Sequence, residues 1–181
     1  MNILIFGVQG SGKSTIGKYI AEKLNVSFVA TGDIFRKLRE EDSELGKLVR
    51  EKINQGLLVP DDKTMNIVNE RLKEKDTNNG FILDGAPRNM KQVGLLERNV
   101  DLIVMVSLKK EEATRRLLNR GRHDDTKEKI VNRISWYEDQ TKPVIDYYKE
   151  KGVESIKVDN TLSEEEVKKS VDDLFKEFKR N

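Results

Sequence analysis

Residues Gly7 to Thr15, reading Gly-Val-Gln-Gly-Ser-Gly-Lys-Ser-Thr, constrain this chain more than any other stretch. They match G-x-x-x-x-G-K-[ST], with Gly7 and Gly12 as the fixed glycines, Lys13 as the lysine and Ser14 as the hydroxyl. The flanks suit the motif. Asn2-Ile3-Leu4-Ile5-Phe6 is a short apolar run of the kind that forms a buried parallel strand. Ile16, Ile20, Ala21 and Leu24 recur at helical spacing, so a helix is expected to open just after Lys13. Glycines let the backbone turn tightly and gather several N–H groups into one concavity. The helix N-terminus adds partial positive charge, and a phosphate is the natural occupant. In that arrangement Lys13 bridges β- and γ-phosphates while Ser14 ligates Mg²⁺. An ordinary glycine-rich turn would not need all four fixed positions.

At 181 residues the chain suits one domain with a real core. Its 34 basic and 32 acidic side chains leave a net charge of +2, which provides no global field for nucleic acid or a membrane surface. No apolar run approaches the length of a membrane span, so a soluble cytoplasmic protein is expected. The absence of cysteine excludes disulfides and a thiolate zinc site.

Strands alternate with helices along the chain. Val26–Ala30 reads as a second strand, ended by Thr31-Gly32-Asp33, with a helix starting at Ile34. Leu45, Leu48, Val49 and Ile53 form another helical stripe that Gly56 closes. Pro60 and Asp61-Asp62 start the next helix, and Asn78-Asn79-Gly80 is a turn. Phe81–Asp84, Leu102–Val106 and Ser155–Val158 are the remaining strands. Glu111–Asn119 is helical, and Asp125 to about Lys149 reads as one long helix, capped by Asp125 with Glu128 and kinked at Pro143. Ser163 with Glu166 caps the last helix. The expected fold is α/β: a parallel five-stranded sheet with helices on both faces, of the phosphate-loop NTPase type, with ligands at the strands' carboxyl ends.

Chemistry-bearing residues fall at those ends: Gly7–Ser14, Thr31-Gly32-Asp33, Asp84-Gly85-Ala86-Pro87-Arg88 and Asp159-Asn160-Thr161. Asp84 ends an apolar strand, the place where such a loop's metal is held directly or through water. Arg36, Arg88, Arg116, Arg120, Arg122 and Arg133 lie near loop or helix ends facing the phosphate loop. Guanidinium forks match phosphate geometry, and phosphoryl transfer needs positive charge around the equatorial oxygens. Asp124 and Asp125 serve equally well as caps or as partners of these arginines. His123, the single histidine, reads as a solvated loop residue, and Trp136 as packing.

With these residues in hand, the chain resembles the adenylate kinases of the nucleoside-monophosphate kinase family from residue 1 to about residue 175. The motifs are Gly7–Thr15, Thr31-Gly32-Asp33 with Arg36, Gly56–Val59, Asp84-Gly85-x-Pro87-Arg88 with Gln92, Arg116, Arg120, Arg122-x-Asp124-Asp125, Arg133, and Tyr137-x-x-x-Thr141-x-Pro143. The resemblance implies reversible Mg²⁺-dependent transfer of a phosphoryl group from ATP to AMP, giving two ADP, in nucleotide homeostasis. It implies an ATP site of Gly10, Ser11, Gly12, Lys13, Ser14, Thr15, Arg116 and Asn160, with Arg116 stacked on the base. It implies an AMP site of Thr31, Gly32, Arg36, Ile53, Leu58, Val59, Gly85, Arg88 and Gln92, within a helical segment of about 31–60. Lys13, Arg88, Arg120, Arg122 and Arg133 would neutralise the transferring phosphates, and Ser14 and Asp84 would hold Mg²⁺; no zinc is implied. An attacking AMP phosphate is already a nucleophile, so positioning and charge can suffice without a base.

Thr31 and Gln92 match the adenylate enzymes, whereas Asn89 looks like the pyrimidine-nucleotide relatives. Ala86 stands where the family usually has an aromatic, Gln9 where it often has Pro, and Ser14 where it often has Gly. Only Gly121 separates Arg120 from Arg122, where the family inserts a lid, so the lid of about 120–126 is minimal. A UMP/CMP kinase is the same-fold alternative, and a nucleotide-binding switch the alternative of another class. The arginine set speaks against the switch, which needs one nucleotide site. ATP, AMP and ADP are the expected partners, with monomer and homo-oligomer both open.

Overall fold

The computed structural model describes residues 1–55, 57–120 and 127–178, with the backbone alone at Ile53, Arg120, Lys127, Glu128, Lys129 and Arg133. Five parallel strands, β1 (Asn2–Phe6), β2 (Ser27–Ala30), β3 (Phe81–Asp84), β4 (Leu102–Ser107) and β5 (Glu154–Asp159), form one sheet in the order β2-β3-β1-β4-β5. The α/β expectation is met. β1 lies at the centre, and its apolar run is explained by burial on both faces. Its side chains alternate between two cores. Ile3 and Ile5 meet α1 (Lys13–Leu24) and α9 (Glu164–Phe178) through Ile16, Ile20, Val167, Val171 and Phe175. Leu4 and Phe6 meet α4 (Asp61–Arg71) and α8 (Lys142–Glu150) through Met65, Val68, Val144, Ile145 and Tyr148. β5, at an edge, alternates instead, burying Ile156 and Val158 and exposing the residues between.

Local signals end the elements where expected. Asn25 takes the left-handed conformation (φ 52°) and its N–H donates to Ala21 and Glu22 carbonyls, stopping α1. At α9, Ser163 N–H donates to Glu166 Oε2 (3.0 Å) and Glu166 N–H to Ser163 Oγ (3.4 Å), the reciprocal box read from sequence. α2 (Thr31–Glu40) and α3 (Glu44–Asn54) form a hairpin that Arg50 clamps by donating to the carbonyls of Arg39 and Glu41, both at 2.8 Å.

The structure corrects one of these readings and adds two features to them. Thr31-Gly32-Asp33 is not a loop before a helix; it is the first turn of α2. The long helix after the lid position runs without a break from Lys127 to Glu150, as α7 (Lys127–Trp136) and α8 joined through a π-helical turn over Tyr137–Thr141 that the sequence did not show. Pro143 follows directly on that turn, which contains Asp139, the residue whose carbonyl a regular helix would pair with the N–H that Pro143 lacks. A single helical turn, α5 (Met90–Val93), was not foreseen. α6 (Lys110–Arg120) completes the set; its Leu117 packs on Ile130 and Ile134 of α7. The Asp125–Glu128 cap and Gly56 fall outside the described residues.

Sheet register sets the site. Ile5 pairs with Asp84 across β1 and β3, and Ala30 pairs with Asp84 across β2 and β3. The chain therefore leaves three neighbouring strands at one level, as the phosphate loop, Gly85 and Thr31.

Candidate functional site

The loop after β1 is held from within and from the far edge of the sheet. Ser11 N–H and Lys13 Nζ both donate to the Val8 carbonyl, at 3.1 and 3.0 Å. Gly12 lies at φ 86°, and a Cβ there would overlap Asn160 Nδ2. That amide donates to the Ser11 carbonyl at 2.7 Å, latching the end of β5 onto the loop. No side chain caps α1. A helix start without such a cap keeps its first N–H groups for an anion.

Asp84 joins this loop to the neighbouring strands. Its Oδ2 accepts from Ser14 Oγ at 2.8 Å, although the two residues are 70 apart in sequence. Its carbonyl accepts from Thr31 Oγ1 at 3.2 Å. Among the described residues no group of three or more His, Asp or Glu side chains could hold a metal by itself. Ser14 Oγ and Asp84 Oδ2 are two adjacent hard oxygens. That donor set suits a cation that keeps water and takes phosphate oxygens for its other positions.

On the β2–β3 side, Gly85 (φ 95°) leaves β3 so close to Thr31 that a Cβ would overlap the Thr31 hydroxyl. Arg88 Nε donates to the Gly85 carbonyl at 2.7 Å, and Thr141 Oγ1, from the π-helical turn, donates to the Arg88 carbonyl at 3.0 Å. Arg36 pairs with Asp33 one helical turn back, its guanidinium lying over Gly32. Gln92, 4% exposed, accepts from Arg88 N–H through Oε1 at 2.8 Å and donates from Nε2 to Asp61 Oδ1 at 2.7 Å. Asn89 caps α5 by accepting from Gln92 N–H at 2.9 Å and donates to the same Asp61 oxygen at 3.0 Å. Asn89 is therefore occupied in holding α5, whatever base the site takes. Val59 is buried, its carbonyl accepting from Thr64 Oγ1, while Leu57 and Leu58 are exposed. Ala86 is packed into the second core.

On the β4–β5 side, a cleft of about 230 Å³ is lined by residues including Gly12, Thr15, Tyr19, Arg116, Asn160 and Leu162. Arg116 is aimed by Glu112, which accepts from its Nε at 2.8 Å, and by the Asn160 carbonyl, which accepts from its terminal nitrogen at 3.3 Å. Hydrogen bonds from Arg115 and then Arg116 pull the Glu112 carboxyl down to about 2. Lys168 is paired at 2.6 Å with Glu164, one turn back on α9, along the cleft rim.

Of the sequence-predicted residues, Lys13, Ser14, Thr31, Gly32, Arg36, Gly85, Arg88, Gln92, Arg116 and Asn160 lie around the ends of the strands. Arg122, with His123, Asp124 and Asp125, lies outside the described residues, as do the side chains of Ile53, Arg120 and Arg133. Sequence reading missed Asp61, noted only as a helix start, and Glu112, which is one turn before Arg116 and was detectable as an i, i+4 pair.

Comparison with known proteins adds independent findings. The sequence pattern of the family described as adenylate kinase matches residues 5–153. An adenylate kinase of Azobacteroides pseudotrichonymphae is 39% identical over 190 residues, covering 97% of this chain and 100% of the relative. One from Corynebacterium urealyticum is 37% identical over 155 residues, covering 82% of this chain and 86% of the relative. One from Staphylococcus aureus is 33% identical over 213 residues, covering 97% of this chain and 99% of the relative.

Proposed function

The chain belongs to the adenylate kinase family, and on that premise we propose how its own residues divide the work of moving the γ-phosphoryl group of ATP to AMP. Lys13 and the N–H groups of Gly10–Thr15 hold the donor phosphates at the uncapped start of α1. Arg88 and Arg36 hold the AMP phosphate, and Arg120, Arg122 and Arg133 span both nucleotides. Thr31, Gly32, Ile53, Leu58, Val59, Gly85 and Gln92 enclose the adenine of AMP. Arg116 lies on the ATP base, with Asn160 beside it. Mg²⁺ would be held by Ser14 Oγ and by Asp84, directly or through water; when bound it neutralises charge on the β- and γ-phosphate oxygens. The protein works in the cytoplasm, and among the described residues no helix is long and apolar enough to cross a membrane.

The observation that carries this reading is the double role of Asp84. Its carboxylate meets Ser14 of the phosphate loop, and its carbonyl meets Thr31 on the opposite side. One residue thus ties donor-side and acceptor-side elements at a fixed separation. In-line transfer between two bound nucleotides needs just such fixed positioning, which can supply several kcal/mol of the barrier reduction, about 7 or more in favourable cases.

α6 ends at Arg120 and α7 starts at Lys127, so few residues are available for a lid. The alignment to the S. aureus relative extends over 213 positions against 181 residues here, so that relative carries segments this chain lacks. A short lid leaves the donor base open to water, and other nucleoside triphosphates then serve as donors.

A coupled assay with ATP and AMP, CMP, UMP or GMP tests the reading, with Lys13→Met as the variant. AMP is the expected best acceptor, and the folded variant should lose nearly all transfer. Near wild-type turnover in Lys13→Met would remove the lysine from the mechanism.

A further inference from the structure

Gln92 can read a base only if its amide oxygen and nitrogen have fixed places. A Gln amide carries two acceptor lone pairs and two donor hydrogens at atoms that are nearly indistinguishable in shape. Here the surroundings settle which is which. The Arg88 N–H, 2.8 Å from Gln92 Oε1, can only donate. The Asp61 carboxylate, 2.7 Å from Gln92 Nε2, can only accept. A flipped amide would set N–H against N–H at Arg88 and lone pair against lone pair at Asp61. Asp61 is itself well anchored. It is the first residue of α4, where the helix N-terminus favours its charge, and Asn89 Nδ2 donates to the same oxygen at 3.0 Å.

We propose that Asp61 is a positioning residue for acceptor-base selection: it locks the Gln92 amide in the one orientation that pairs with an amino group beside a ring nitrogen. The proposal rests on the reading that Gln92 faces the base of AMP. With Asp61 and Arg88 each taking one bond, the amide keeps one Oε1 lone pair and one Nε2 hydrogen. Adenine offers the complement, a donor at its amino group and an acceptor at N1. Hypoxanthine has the same size and ring shape but inverts both: an acceptor oxygen replaces the amino group, and N1 carries a hydrogen. Against the locked amide it meets two like-to-like contacts, which water cannot readily repair at a side chain as buried as Gln92. The lock therefore makes the enzyme distinguish AMP from IMP without any part of Asp61 touching the nucleotide.

Acceptor kcat/KM for AMP and for IMP, with ATP saturating, tests this in three proteins. The wild type should favour AMP by about a hundredfold or more. Asp61→Leu keeps a similar size but offers no acceptor to Gln92 Nε2, leaving only the Arg88 N–H as a lock. The AMP-to-IMP ratio should then fall about tenfold, with the KM for ATP unchanged. Asp61→Ala, which also removes the acceptor, should shift the ratio in the same direction if the Leu variant is poorly folded. Gln92→Leu removes the reader and should collapse the ratio further. If Gln92→Leu changes the ratio and neither Asp61 variant does, Asp61 is not the lock and the proposal falls alone. If Gln92→Leu leaves the ratio intact, Gln92 does not face the base, and both readings fall. An equal loss on AMP and IMP in both Asp61 variants would show a merely structural aspartate and overturn the proposal.

Discussion

Gly85→Ala is expected to destabilise the protein by an amount set by two separate defects. Gly85 lies at φ 95°, where an L side chain is strained by about 1–2 kcal/mol. Its new Cβ would also overlap the Thr31 hydroxyl, which is only 1% exposed and cannot swing into water. Displacing that hydroxyl breaks its 3.2 Å bond to the Asp84 carbonyl, a further loss of about 1 kcal/mol. The total is roughly 2–3 kcal/mol, or a fall in melting temperature of about 4–12 °C for a chain of this size. Thr31→Ala separates the two defects, because it removes the atom that the Cβ strikes. The double variant should cost about 1 kcal/mol less than the sum of the single ones, and the left-handed strain should remain in both proteins that carry the Gly85→Ala change. Thermal melts of the three variants give the cycle. The KM for AMP should rise in Gly85→Ala with little change for ATP, because the added methyl would lie 3.3 Å from an Arg88 terminal nitrogen. Strict additivity in the double variant would show that the overlap is relieved at no cost. A melting temperature within about 1 °C of wild type would refute the strain argument as well.

Arg88→Ala should weaken AMP binding by about 2–3 kcal/mol and leave ATP binding nearly intact, measured by separate titrations; equal losses would count against Arg88 as the acceptor-phosphate clamp. If Arg116 stacks on the donor base as proposed, with little lid to bury the base edge, ATP, GTP, CTP and UTP should all phosphorylate AMP with kcat/KM values within about a factor of ten, about 1.4 kcal/mol of barrier. A preference for ATP above about a hundredfold would mean that the cleft beside Asn160 encloses the donor base after all. Glu112 is held down to about 2 by Arg115 and Arg116, so its contribution to stability is complete above its ordinary value of 4.5 and disappears as pH falls from there towards 2. Glu112→Gln should therefore lose less stability than wild type between pH 5 and pH 2 in urea melts, and parallel losses would exclude the ion pair as a contributor.

Much of the fold is local in origin and was legible in the chain. The β1 run, the glycines and lysine of the phosphate loop, the Ile16–Ile20 stripe and the Ser163–Glu166 box each act over a few neighbouring residues, so pattern alone identifies them. The ends of strands likewise pointed to Thr31, Asp84, Arg88 and Asn160. Other features needed the third dimension. α5 is a single turn, too short for periodicity, and it exists because Asn89 caps it and Asp61 anchors the cap. The π-helical turn that carries Thr141 to the Arg88 carbonyl could not be read from a helical stripe that runs on through it. Above all, the sequence determined that Asp84 ends an apolar strand, whereas the register of β1 and β2 against β3 decided that it meets Ser14 on one side and Thr31 on the other. Sheet register and order are set by the packing of two cores through residues far apart in the chain. The same is true of Asp61, whose acceptor role depends on a partner 31 residues away that only the folded chain brings to its carboxylate.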